Sequence, residues 1–180
     1  MRTITSLFGL LPVIVLGAAC DQPMLFSAEL DAPDICIGGM RVPFPPSGYA
    51  GNTEHPISGE DLGMPDGDGY DLDVTVHAVG ITASSGVDDL DFLDALTVTA
   101  VSADPATGLP ELMLVEMDDA DHTGDGAMYA EPAHPANIAT HLRAGDVFFR
   151  FDLSGDLPDT LWEADMDLCV HAVASYDKPL

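Results

Sequence analysis

Apolar residues recur at every second position in short runs, and this alternation restricts the chain more than any other feature. Leu72, Val74 and Val76 share one parity, as do Leu96, Val98 and Ala100. Val147, Phe149, Phe151 and Leu153 form a third set, interleaved with Asp146, Phe148, Arg150 and Asp152. Met166, Leu168, Val170, Ala172 and Ala174 make a long final run. Successive side chains of a strand point to opposite faces, so each run predicts a half-buried strand. Ile35–Val42 and Leu112–Met117 bring the expected strands to six, and a seventh is expected near Ile57–Leu62.

The breaks between runs point the same way. The chain holds 14 Pro and 17 Gly, and its acids are 24 Asp against 7 Glu. Asp favours caps and turns, whereas Glu favours helices. One short helix is expected, capped by Asn137, running through Ile138, Leu142 and Ala144, and stopped by Gly145. Residues 85–89 predict a turn that drops Leu90, Phe92 and Leu93 onto the core. The expected fold is all-β, an antiparallel β-sandwich of about 7–8 strands with one short helix.

Composition fixes what such a domain can meet. With 31 Asp plus Glu against 5 Lys plus Arg, the formal net charge is −26. Phosphate binding needs clustered cations, so nucleic acid is excluded as a partner. Anionic lipid repels the same surface, which excludes purely electrostatic membrane binding. Disorder is also excluded, because 47% of the residues are hydrophobic and the mean hydropathy is +0.18.

Residues 1–19 read as an export signal. Arg2 precedes an apolar run from Leu7 to Leu16, followed by the small residues Gly17, Ala18 and Ala19. The run is too short to span a bilayer as a helix. Small residues directly before Cys20 resemble the lipobox of bacterial lipoproteins, with Gly17 standing where that family favours Leu. The resemblance implies cleavage before Cys20, acylation of its thiol and membrane attachment through the lipid. Each buried methylene of an acyl chain contributes about 0.8 kcal/mol, so two or three chains hold a domain almost permanently. Cleavage removes Arg2 and no acid, which takes the net charge from −26 to −27. The expected organisation is a signal at 1–19, lipidated Cys20 and a tether at 20–33, and the sandwich domain at 34–177.

Two further cysteines remain, Cys36 and Cys169. An even pair in an exported chain predicts a disulfide, here joining the first and last strands.

Residues 71–79 (DLDVTVHAV) and 165–173 (DMDLCVHAV) agree at six of nine positions. The pattern is expected to mark strands with equivalent roles in related sheets, with His77 and His171 on the polar face. A metal bridged by these two histidines is the sharper alternative.

The strongest candidate for chemistry is the acidic stretch 118–126. Ca²⁺ takes six to eight oxygens, and Asp119, Asp121 and Thr123 precede Gly124 with the spacing that opens an EF-hand loop. Asp125 and Glu131 complete the candidate ligand set, although Glu131 falls one place late. Asp66–Asp73 is a second acidic knot without that spacing. His122, Glu131, His134 and His141 match no compact Zn²⁺ motif, and surface histidines are the simpler expectation. No G-x-S-x-G elbow or phosphate-binding glycine loop is present. Phe148 and Trp162 are candidate binding aromatics, for which partial burial at an edge or under a loop is the commoner role.

The run 78–100, Leu109-Pro110, residues 139–145 and residues 152–158 resemble a group of uncharacterised bacterial lipoproteins. That resemblance implies a single β-sandwich domain in the cell envelope, on the outer or inner membrane, and carries over no catalytic residue. The expected function is a lipid-anchored binding or structural module with a protein or glycan partner, and not an enzyme. A Ca²⁺-dependent adhesion or carbohydrate-binding domain is the first alternative. A metal-assisted hydrolase using residues 118–131 is the second.

Overall fold

A computed structural model describes residues 25–47, 53–58, 71–123 and 126–179. The expectations for residues 1–24, Cys20 among them, lie outside the described residues, as does Asp125.

The fold is the expected all-β sandwich. In chain order its strands are β1 (Leu25–Phe44), β2 (Thr53–Ile57), β3 (Asp71–Ser85), β4 (Leu93–Ser102), β5 (Leu112–Asp118), β6 (Ala127–Ala130), β7 (Ala136–Asn137), β8 (Val147–Gly155) and β9 (Trp162–Pro179). One helix, α1 (Ala139–Ala144), lies between β7 and β8. One sheet runs β1-β9-β3-β6, with β7 also on β3, and the other runs β2-β8-β4-β5. Every pairing is antiparallel.

Period-two patterning decides which side chains meet between the sheets. Val74, Val76, Leu96, Val98, Val147, Phe149, Met166 and Leu168 are each at most 2% exposed. The alternation in β3 changes parity at His77, where a register shift lies between Val76 and Ala78. That extra residue lets Val79 and Ile81 rejoin the core instead of facing outward.

Several boundaries differ from expectation. The first strand starts at Leu25 and not near Ile35, so much of the expected tether is paired, with Leu25 opposite Pro179. The short second strand ends at Ile57 instead of starting there. Two short strands, β6 and β7, follow the acidic turn where the sequence pattern predicts none. The two echo segments are not in separate sheets: β3 and β9 are antiparallel neighbours, with Thr75 opposite His171.

Loops gather at the two ends of the strands. At one end, Asp156 N–H donates to Phe92 O, Ala83 N–H donates to Gly126 O, and the His122 ring meets Leu93 O. These contacts join the turns after β3, β5 and β8. At the other end stand the Leu25–Pro179 pair, α1 and the 103–111 turn, where Ala103 N–H donates to Asp146 O. The chain enters the fold at the end opposite the acidic 118–126 turn.

Candidate functional site

Cys36 and Cys169 are direct partners across β1 and β9 and form a disulfide, with Cα atoms 4.0 Å apart. The bond joins the first and last strands, as expected for the two cysteines that remain besides Cys20. It closes a sequence separation of 133 residues.

The acidic turn is organised around its own backbone. Asp118 accepts from Ala120 N–H at 2.8 Å, and Asp121 Oδ2 accepts from Asp118 N–H at 2.9 Å. This reciprocal pair is a capping box that starts a single 3-10 turn. Thr123 directs both its N–H and its hydroxyl at Ala127 O, at 2.8 and 3.2 Å. Asp119 and Glu131 are exposed. The turn is flanked by β5 and β6, not by helices. Among the described residues, no three His, Cys, Asp or Glu side chains stand close enough to share a metal ion.

The histidines also have local roles. His141 is buried rather than on the surface, and its Nε2–H donates to Pro110 O at 2.8 Å. His122 is mostly buried, with Nε2 3.2 Å from Leu93 O and Nδ1 3.9 Å from Asp91. His171 Nε2 lies 2.9 Å from Asp31 Oδ1, so it couples β9 to β1. Trp162 is a core residue, 1% exposed, and Phe148 is half-buried on β8.

A different set of residues makes a built recess. It is an open depression of about 300 Å³ lined by Asp71, Leu72, Asp73, Asn137, Ala139, Thr140, Arg143, Val173 and Ser175. Its floor is the outer face of β3 and β9, where Asp73 lies opposite Val173 and Asp71 opposite Ser175. Cross-strand partners share a face, so these four side chains project together.

The wall is α1, and its placement follows from two residues. Asn137 Oδ1 accepts from Ala139 N–H at 2.9 Å, which supports the first turn. The same side chain donates through Nδ2 to Asp73 Oδ2 at 2.9 Å. His141 then holds the far side of the helix to the 103–111 turn. With the helix held, Arg143 reaches back and donates to Asp71 Oδ1 at 3.0 Å and Leu72 O at 3.2 Å.

The two carboxylates are in different electrostatic states. Asp71 is paired with the Arg143 guanidinium. Asp73 accepts from the Thr75 hydroxyl at 2.8 Å and from the Asn137 amide, both neutral donors. Neutral donors orient a carboxylate without cancelling its charge. On the far side of Val173 stands Asp31, so Asp31, Val173 and Asp73 form one row across β1, β9 and β3. Of these three, Asp73 and Val173 line the recess, and Asp31 lies beyond its lining.

Sequence reasoning did not find this recess. Its signals are the outward parity of Asp71 and Asp73 and the rarity of Arg143 among so many acids. No known protein-family model matches the chain, and no curated protein matches it either.

Proposed function

We propose that this protein is an exported lipoprotein of the bacterial cell envelope, anchored through acylated Cys20 and serving as a binding module. The observation that carries the anchoring is the sequence from Arg2 to Cys20, with an apolar run and three small residues before the cysteine. The fold supports it in two ways. The Cys36–Cys169 bond suits an oxidising compartment. Strand pairing begins at Leu25, so the five-residue step from Cys20 spans at most roughly 18 Å and keeps one end of the domain near the lipid. The acidic 118–126 turn then faces away from an anionic membrane surface. The polar recess beside α1 supports the binding role.

Expression in a bacterial host with labelled palmitate tests the anchor. The wild-type chain is expected to carry label and to sediment with membranes. Cys20→Ser is expected to lose both properties. An unlabelled, soluble wild-type protein overturns the reading.

A further inference from the structure

We propose that the Cys36–Cys169 disulfide is a thiol-exchange site, at which a low-molecular-weight thiol attacks the Cys36 sulfur. Opening the bond loosens the middle of β1 while the sandwich stays folded. This goes beyond the binding role proposed above and rests on neither the recess nor the lipid anchor.

Three observations carry this. First, the two sulfurs differ in access: Cys36 is exposed, whereas Cys169 is half-buried. The bond lies on the outer face of its sheet, because Leu168 and Val170, either side of Cys169, are buried in the core and strand residues alternate. A thiol reaches an exposed disulfide without unfolding the chain, and exposed disulfides are the labile ones in exported proteins. Second, the bond is not what aligns the strands. β1 and β9 are paired from Leu25 opposite Pro179 to Phe44 opposite Trp162, and the Phe44–Trp162 end is buried. That pairing and the core beneath it remain when the S–S bond opens. Third, the ladder is interrupted around the bond. Register shifts fall between Ala32 and Ile35 and between Ile37 and Met40, so Ile35, Cys36 and Ile37 pair between two irregularities. A third shift, between Val76 and Ala78, lies across from Cys169 on β3. Such shifts disrupt ladder hydrogen bonds. Among the described residues β1 is also the edge of its sheet, so residues 33–39 are held from one side.

The exchange runs in two displacements. A thiolate forms a bond to Cys36 Sγ as the Cys36–Cys169 bond breaks, and Cys169 leaves with the electron pair and takes up a proton. A second thiolate attacks the sulfur that the first thiol brought. Cys36 then leaves as a thiolate, is protonated, and the small-molecule disulfide departs. Two thiols are oxidised to one disulfide, and the protein disulfide is reduced to two thiols. The reverse reaction, with the small-molecule disulfide as oxidant, closes the bond again.

Acid-quenched intact mass of the full mature protein in neutral-detergent micelles tests this, with millimolar reduced glutathione as the probe, with and without urea. The native bond is expected to open at a rate within about a hundredfold of that in urea, with the first glutathione adduct on Cys36. The reduced protein should keep a cooperative unfolding transition read from Trp162. Its amide hydrogen exchange should rise only in residues 33–39 and their partners on β9. In Cys169→Ser, Cys36 should alkylate about tenfold faster than Cys169 does in Cys36→Ser. The wild-type adduct reads the same asymmetry without a substitution. Slower opening than that hundredfold limit overturns the proposal, as does a first adduct on Cys169 or equal alkylation of the two variants. Loss of the cooperative transition on reduction, or a rise in exchange throughout the chain, also overturns it. Peptide mapping separates an adduct at Cys36 from one at Cys20, so this reading and the anchor fail separately.

Discussion

The Trp162 indole stacks on the Phe44 ring, with centroids 4.2 Å apart and planes 16° apart. The two residues are also ladder partners, the last of β1 and the first of β9. Phe92 meets the indole edge-on at 5.2 Å, and Phe151 meets Phe44 in the same way at 5.6 Å. Side chains from both sheets and from the turn after β3 therefore converge on one aromatic cluster. Burying rings of this size stabilises a core strongly, and edge and offset contacts add to the area term.

Trp162→Ala and Phe44→Ala are each expected to cost about 3–5 kcal/mol, read from urea denaturation. The double variant should lose less than the sum, because both substitutions remove the same contact. Trp162 is the one tryptophan in the chain, so its emission should be blue-shifted when folded and move to the red through the same transition. Additive losses would contradict the shared cluster.

Arg150 ties together strands that are distant in sequence. It donates to Glu111 at 2.8 Å and to Glu54 at 3.2 Å, from β8 to the residue before β5 and to β2. The Glu111 hydrogen bond, aided by Glu54, raises the guanidinium pKa above the ordinary arginine range. A raised pKa contributes stability that is present below the unfolded value and lost only above the folded one. The arginine side of this contribution is therefore constant through neutral and acidic pH. Arg150→Met is expected to cost about 2 kcal/mol, because two carboxylates lose a shared charged donor. Arg150→Lys should recover part of the loss. A loss below about 0.5 kcal/mol by urea denaturation would contradict the bridging role.

Gly155 and Gly108 both hold positive φ, at 134° and 64°, and differ in their surroundings. A Cβ at Gly155 would lie 2.2 Å from Phe92 O and 2.8 Å from Asp94 N, whereas one at Gly108 meets nothing within 4 Å. Gly108→Ala should cost only the backbone term of about 1–2 kcal/mol. Gly155→Ala should cost about 3 kcal/mol or more, since backbone must move as well. Equal losses in parallel denaturation curves would show that the close approach has no energetic weight.

Salt should stabilise this protein. Arg41, Arg143 and Arg150 each have an acidic partner, which leaves most of the 31 acids without a cation to offset them. Their mutual repulsion weakens as the Debye length shrinks from about 30 Å at 0.01 M to about 3 Å at 1 M. The melting temperature is expected to rise by several degrees across that range in NaCl. A flat response would mean that repulsion does not limit stability.

The legible parts of the fold were those where local pattern and tertiary demand agree. Val147, Phe149 and Phe151 alternate in sequence and lie inward in β8. Gly145 ends α1 as expected, while its N-cap is Ile138, one residue after Asn137, whose side chain still accepts from Ala139 N–H. The strands without a sequence signal have little pattern of their own. Ala127–Ala130 is a strand because β3 offers it Val79–Thr82 as partners. Pro56 sits within β2, where an edge position tolerates its missing N–H. The recess was illegible for a different reason. Asp73, Asn137, Arg143 and Val173 come from separate stretches, and only antiparallel pairing of β3 with β9 and the return of α1 bring them together. The Cys36–Cys169 bond needed no such geometry, since only two cysteines remain once Cys20 is assigned to the lipid.

Intact mass under non-reducing conditions, on protein taken from bacterial membranes, tests the account most directly. The account predicts a chain that starts at Cys20, carries acyl groups there, is two hydrogens lighter for the Cys36–Cys169 bond and offers no thiol to alkylation. A chain that keeps residues 1–19, or one with an unmodified and alkylatable Cys20, would contradict it.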